Sequence, residues 1–183
     1  MTTVQVAELR CEYRKNPVGL GAMRPRFSWQ LRADRPHVLQ RAYRIQVSSA
    51  LAGFDEDHLV WDTGMVESDQ SNLVEYAGEK LLSRGRYHVR VKVWDQHGHE
   101  SDWSEPGMFE MGLLDTSDWQ ASWITPDPNA IDSQAEEIFM LRRQFTVEGE
   151  VRRATIYATA LGMYELELNG ERVGDGQYAP GWT

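Results

Sequence analysis

Hydrophobic and polar residues alternate with a period of two along most of this chain, and no stretch longer than a turn or two repeats at the helical period. The alternation predicts strands over 4–14, 26–32, 42–49, 59–62, 72–76, 86–94 and 107–111. Turn-forming residues separate them, among them Asn16-Pro17, Ala52-Gly53, Arg84-Gly85 and Gln96-His97-Gly98. About seven short strands in roughly 110 residues, with regular turn signals, predict an immunoglobulin-like sandwich. In "YHVRVKVW", Tyr87, Val89, Val91 and Val93 point one way, and His88, Arg90 and Lys92 the other. The first set is expected in a core and the second in water. Leu81 lies six residues before Tyr87, the spacing of a tyrosine corner, whose phenol bonds to upstream backbone. Trp29 in "RFSWQLR" is expected to fill the centre of the core.

After "FEMGLL" the pattern changes. "DTSDWQASWITPDPNAIDSQAEE" reads as a linker anchored by Trp119 and Trp123 and stiffened by Pro126 and Pro128. A second set of strands is predicted over 138–147, 151–161, 163–168 and 171–174. Asn169-Gly170 should turn the last two into a hairpin, because a type I′ turn needs positive φ at both positions. Four strands are half of an eight-stranded jelly roll, so this unit is expected to be cut short at Thr183. Its unpaired strand edges would then be open to self-association. The expected fold is all-β. It comprises an immunoglobulin/fibronectin type III-like sandwich over 1–113, a linker over 114–136, and a partial jelly-roll β-sandwich over 137–183.

Composition narrows the function. Of 183 residues, 41% are hydrophobic and 26% charged, as in soluble globular proteins. Acids outnumber bases 28 to 19, for a net charge of -9. Phosphate backbones are bound by clustered Lys and Arg, so no nucleic-acid partner is expected. No apolar run reaches the length of a membrane span, so no membrane partner is expected either. "MTTVQVAELR" lacks a basic start followed by an apolar stretch, and a cytoplasmic location is expected. The single cysteine, Cys11, alternates with Leu9 and Tyr13 on the inward side of a strand. It reads as a small core residue and not as a nucleophile.

The order and spacing of several stretches carry a resemblance. They include "NPVGL", "PRFSWQL", "QRAYRIQVSSA", "WDTGMVESDQSNLVEY" and "VKVWDQHGHESDWSEPGMFEMGLL", then "DWQASWI", "LRRQFTV" and "ALGMYELELNGERVGDGQYAPGWT". Together they resemble the N-terminal region of bacterial α-L-rhamnosidases of glycoside hydrolase family 78. The resemblance implies a fibronectin-like sandwich and a jelly roll that precede a barrel of paired helices. That barrel would carry the catalytic carboxylates for inverting hydrolysis of terminal L-rhamnose. This chain has no counterpart of the catalytic motifs, so the resemblance assigns no catalytic residue, no cofactor and no metal. The partner it implies is the helical-barrel catalytic domain of the same parent chain, with rhamnose-containing glycosides as a second. His88 stands where the family commonly has an aromatic, on the outward face.

Three clusters invite chemistry. Glu165 and Glu167 in "YELELNGERVG" lie two residues apart, roughly 6.6 Å along a strand. That approaches the ~6.5–9.5 Å between the carboxyls of an inverting glycosidase. Those carboxyls, however, must flank the bond from opposite sides. Neighbours on one strand face meet a substrate from the same side, and with Tyr164, Leu166 and Leu168 inward both glutamates should be solvated, without the raised pKa of a general acid. His97 and His99, with Asp95 and Glu100, could hold a metal, and "DEDH" at 55–58 could attract calcium. Both read as solvated turns. The candidate sugar-binding residues are Asp175, Tyr178 and Trp182 in "GDGQYAPGWT": two stacking faces and an acceptor for hydroxyls. In some rhamnosidases the related jelly roll holds rhamnose with a calcium ion, so a carbohydrate-binding module is the second reading. A cell-surface adhesion module is a third.

Overall fold

The computed structural model describes residues 4–51, 53–127 and 138–180. The chain divides into two compact units, Met1–Trp123 and Ile124–Thr183. In the first, eight strands form: β1 (Gln5–Cys11), β2 (Arg26–Arg32), β3 (Gln40–Ser48), β4 (Leu59–Asp62), β5 (Val66–Glu67), β6 (Val74–Glu75), β7 (Arg86–Asp95) and β8 (Gly107–Glu110). One sheet runs β1-β2-β6. The other runs β4-β3-β7-β8, with β5 also on β3. All seven predicted strands form, and the fold is the expected all-β sandwich. Among the described residues no helix is long and apolar enough to cross a membrane.

Aromatic rings join the two sheets. Phe27 of β2, fully buried, lies 5.6 Å from Phe109 of β8 and 6.3 Å from Trp61 of β4, measured between ring centroids. Phe109 stacks on Tyr87 at 5.4 Å, and Trp61 meets Tyr76 edge-on at 5.0 Å. Trp29 is buried beside Tyr43. Its indole N–H donates to Gln40 Oε1 (2.9 Å), and Gln40 Nε2 donates to the Ser68 and Gln70 carbonyls. Every polar atom of that buried pair therefore has a use.

The predicted tyrosine corner forms. The Leu82 N–H donates to the Tyr87 hydroxyl oxygen (2.9 Å), and Leu81 is buried beneath it. Two sheet edges are blunted by local devices. β1 carries a bulge between Ala7 and Arg10, centred on Glu8 with φ 50°. The free side of β8 is taken by "NPVGL": Asn16 Oδ1 accepts the Met108 N–H, Pro17 O accepts the Glu110 N–H, and Leu20 N–H donates to Glu110 O.

Two expectations need correction. Strand β1 stops at Cys11, because Glu12 and Tyr13 are left-handed (φ 45° and 66°) and Cys11 closes on Arg14. Tyr13 is thereby thrown outward to 59% exposure. His88 is not in water but 9% exposed, with its Nδ1 buried and without a hydrogen-bond partner. Two positions on, the same outward side of β7 is covered at Arg90 by Phe54 and Trp103.

Asp115 caps a 3-10 turn, Thr116–Asp118. Asp118 accepts a hydrogen bond from the Ser83 hydroxyl, and the Leu114 N–H donates to Ser83 Oγ (2.8 Å). The start of the predicted linker is thus fastened by carboxylates. Trp119 and Trp123, expected as its anchors, are 40% and 68% exposed. In the second unit the described residues form only β9 (Glu167–Leu168) and β10 (Glu171–Arg172). Residues 138–161, predicted as strands, join no strand ladder among the described residues, and a ladder needs two partners.

Substituting Tyr87→Phe removes the half-buried hydrogen bond from the Leu82 N–H and should cost about 1 kcal/mol, read from urea unfolding with an unchanged m-value. Gly78→Ala should cost a similar amount by thermal unfolding. A Cβ there would lie 2.5 Å from both Trp61 Cβ and Val60 O, and that carbonyl already accepts the Tyr76 hydroxyl and the Glu79 N–H.

Candidate functional site

The hairpin that carries the paired glutamates folds as its turn residues dictate. Asn169 (φ 54°) and Gly170 (φ 82°) make the turn, and Glu171 pairs with Leu168 and Arg172 with Glu167. A second tie brings Tyr164 against Ala179, with the Tyr164 N–H donating to Ala179 O (2.8 Å). Between them lies an open depression of about 240 Å³. Ile156, Leu166 and Val173 give it an apolar floor, and Glu165 and Arg172 a polar rim, 3.5 Å apart.

Glu165 and Glu167 are both exposed, while Tyr164 and Leu166 are half-buried, as alternation requires. Leu168, expected inward, is 41% exposed at the hairpin's end. Only Glu165 of the pair reaches the depression, where its neighbour is a cation and not a second acid. The sugar-binding candidates do not converge on it. Asp175 is exposed, and Tyr178 is 71% exposed with left-handed backbone. Neither lines the depression. Trp182 lies outside the described residues.

The histidine turn is organised by its acid. Asp95 is 1% exposed and accepts the N–H groups of His97 and His99 (both 2.9 Å) and the His99 ring at 3.1 Å. Burial works to raise the carboxyl's pKa, but these donors outweigh it and hold Asp95 below the usual range. The carboxylate is thus spent on the turn. In "DEDH", Asp55 pairs with His58 at 2.6 Å. Among the described residues no group of three or more His, Cys, Asp or Glu side chains could hold a metal ion. Cys11 is buried, and burial, with Glu12 second, pushes its thiol up to about 12. It is inert at neutral pH.

One cluster has only a faint signal in the sequence, the outward cations of β7 and the Trp of "SDWSEP". Arg90 lies between two rings, 4.2 Å from the Phe54 centroid and 4.3 Å from that of Trp103. Its N–H groups donate to Gln46 Oε1, and Gln46 Nε2 donates to Asp62, which also takes both N–H groups of Arg44 (2.9 and 2.6 Å). The Arg44 guanidinium, against the effect of burial and with help from Gln46 and Gly64, holds Asp62 at about 2. This closed network covers the outer face of the larger sheet. It is why the face that alternation marks as wet is half-buried.

Residues 6–115 match the family model of the Rha78A-like, N-terminal immunoglobulin domain. The chain belongs to that family. Residues 149–183 match the alpha-L-rhamnosidase N-terminal domain, so this is an N-terminal region of the family 78 rhamnosidases. An alpha-L-rhamnosidase of Formosa agariphila is 37% identical over 95% of this chain and 20% of its own length. One from Alteromonas sp. is 38% identical over 92% and 19%. Among solved structures, Streptomyces avermitilis alpha-L-rhamnosidase complexed with L-rhamnose superposes with a TM-score of 0.66 at 42% identity. That match covers 69% of this chain and 12% of the other. The Aspergillus terreus rhamnosidase covers 98% of this chain at 25% identity, with a TM-score of 0.64. The chain therefore spans about a fifth of the length of the curated relatives it matches.

Stability should fall in two acid steps. Burial, and then Arg86, hold His88 below the ordinary imidazole pKa. The folded state therefore resists protonation, and stability present at neutral pH is lost as pH drops below about 6.5. Asp62 is depressed, so its contribution survives to about pH 4 and is lost as pH falls toward about 2. Urea unfolding against pH should show both steps, and His88→Gln should abolish only the first.

Proposed function

We propose that this chain is a non-catalytic accessory region of an α-L-rhamnosidase. The parent enzyme removes terminal α-L-rhamnose from glycosides by inversion, and this region supports and positions its helical-barrel catalytic domain. The observation that carries the reading is one of proportion. Rhamnosidases match this chain almost end to end, yet it accounts for about a fifth of their length. The site geometry supports the same reading. The paired carboxylates Glu165 and Glu167 lie exposed beside a hairpin, with Arg172 facing Glu165. Inverting hydrolysis needs two carboxyls on opposite sides of the bond, one of them with a raised pKa.

A second reading, a module that holds rhamnose itself, draws support from Tyr178, which offers an exposed ring two residues after Gly176, whose carbonyl accepts from Arg172. It shares the family and differs in the ligand.

The 183-residue chain should not hydrolyse p-nitrophenyl α-L-rhamnoside. Turnover that disappears in Glu165→Gln or Glu167→Gln would sink the accessory reading. Calorimetric titration with L-rhamnose, with and without calcium, should be flat at millimolar sugar. A saturating heat lost in Tyr178→Ala would establish the binding module instead.

A further inference from the structure

The two sheets of the sandwich present unlike outer faces. That of β4-β3-β7-β8 is occupied by its own side chains, with Arg90 held between Phe54 and Trp103 and Gln46 closed onto Asp62. The outer face of β1-β2-β6 is covered only in part: Arg26 closes on Glu12 and Ser28 bonds to Asn72, while Gln5, Arg10, Gln30 and Arg32 remain exposed. Strand register places Arg32 opposite Gln5, Gln30 opposite Ala7, and Ser28 opposite Arg10. Val6, Leu9, Phe27, Trp29 and Leu31 take the inward positions, so the outward ones are held by Ala7 and polar side chains.

It is also positively charged in an acidic protein. The first 39 residues, which supply β1, β2 and the loops at their ends, hold seven of the 19 Lys and Arg but three of the 28 Asp and Glu, a balance of +4. The other 144 residues hold 12 against 25, a balance of -13. Glu8, Glu12 and Glu75 are engaged by Lys15, Arg26 and Arg24. Arg14, Arg32 and Arg35 are exposed, and no carboxylate lies within ion-pair distance of them among the described residues. A patch of one sign on a surface of the other steers a complementary partner and fixes its orientation. Guanidinium groups favour carboxylates, which they grip through two N–H groups at once.

We infer that the outer face of β1-β2-β6 docks an acidic protein surface in the remaining polypeptide of the parent enzyme. This deepens the accessory reading and rests on it. The chemistry favours a protein over an anionic sugar chain. The strand positions on this face offer no aromatic ring for stacking, and nearby Tyr13 is already under the Arg26 guanidinium at 5.6 Å. The guanidinium and amide groups of this face instead suit the carboxylates of another packed element, and relatives carry about four-fifths of their length outside the matched region.

The test combines the 183-residue chain with the rest of its parent polypeptide, produced separately. Association is followed by surface plasmon resonance at about 50 and about 500 mM salt, across which the screening length falls severalfold. The triple variant R14E/R32E/R35E should keep the wild-type melting temperature, because these side chains are exposed and unpaired. It should bind more than about tenfold more weakly at low salt, where like charges would oppose each other. High salt should weaken the wild-type chain in the same sense. Equal binding by wild type and variant, or no association at either salt, overturns the inference. So does a variant that loses only its binding to heparin, the probe for an anionic glycan. Rhamnoside turnover by the isolated chain would remove the accessory reading itself, whereas an inactive chain indifferent to charge reversal removes only this docking face.

Discussion

The contact that the sandwich depends on is between Phe27 and the two strands that face it. Phe27 belongs to the three-stranded sheet, yet its ring touches Trp61 and Phe109, which sit on opposite edges of the other sheet. A sheet with one apolar face must bury it against another layer. In so small a domain a few large rings supply most of the area that does so. Tyr87 and Tyr76 extend the ring contacts outward, and their hydroxyls are turned to backbone. Tyr87 accepts from Leu82, and Tyr76 donates to Val60 and Glu79. Rings and hydroxyls together fix how the sheets face each other and where the loops leave them.

That arrangement leaves two outer faces with different histories. On the larger sheet, Arg90 lies between two aromatic rings and donates to Gln46, whose amide in turn donates to Asp62. Arg90, Gln46, Arg44 and Asp62 satisfy one another there, so this network has little left to offer a ligand. On the smaller sheet the cations stand in water, several of them uncommitted. A region that must hold another domain in place would use the second kind of surface. Its edges are meanwhile blunted, by the Glu8 bulge in β1 and by "NPVGL" along β8, so that pairing does not run on indefinitely.

The second unit follows the same physics with fewer partners. Its hairpin closes because Asn169 and Gly170 adopt positive φ without help from the rest of the chain. Ile138, Phe139, Met140 and Leu141 alternate with nothing and remain exposed. Apolar area of this kind on adjacent residues marks surface that other polypeptide covers. It fits a region that matches rhamnosidases over about a fifth of their length.

Local rules determined most of what was legible in the sequence. Period-two alternation bounded by Gly, Pro and Asn placed all seven predicted strands of the first unit, because a strand's two faces need nothing beyond their own residues to be written. The tyrosine corner and the Asn-Gly hairpin were equally local. The family, too, was readable from the order of short motifs, and so was the solvated state of Glu165 and Glu167. Tertiary structure decided the rest. Whether His88 is wet depends on what lies over its face. The next outward position, Arg90, is covered by Phe54, 36 residues earlier, and Trp103, 13 residues later. Whether Asp95 is a ligand or a turn cap depends on which N–H groups reach it first. Whether 138–161 becomes strand depends on a partner to pair with. Asp175, Tyr178 and Trp182 were grouped by nearness in sequence, and the backbone gives Asp175 and Tyr178 no shared cavity. Alternation records which way a side chain points, and only the packed chain supplies what it points at.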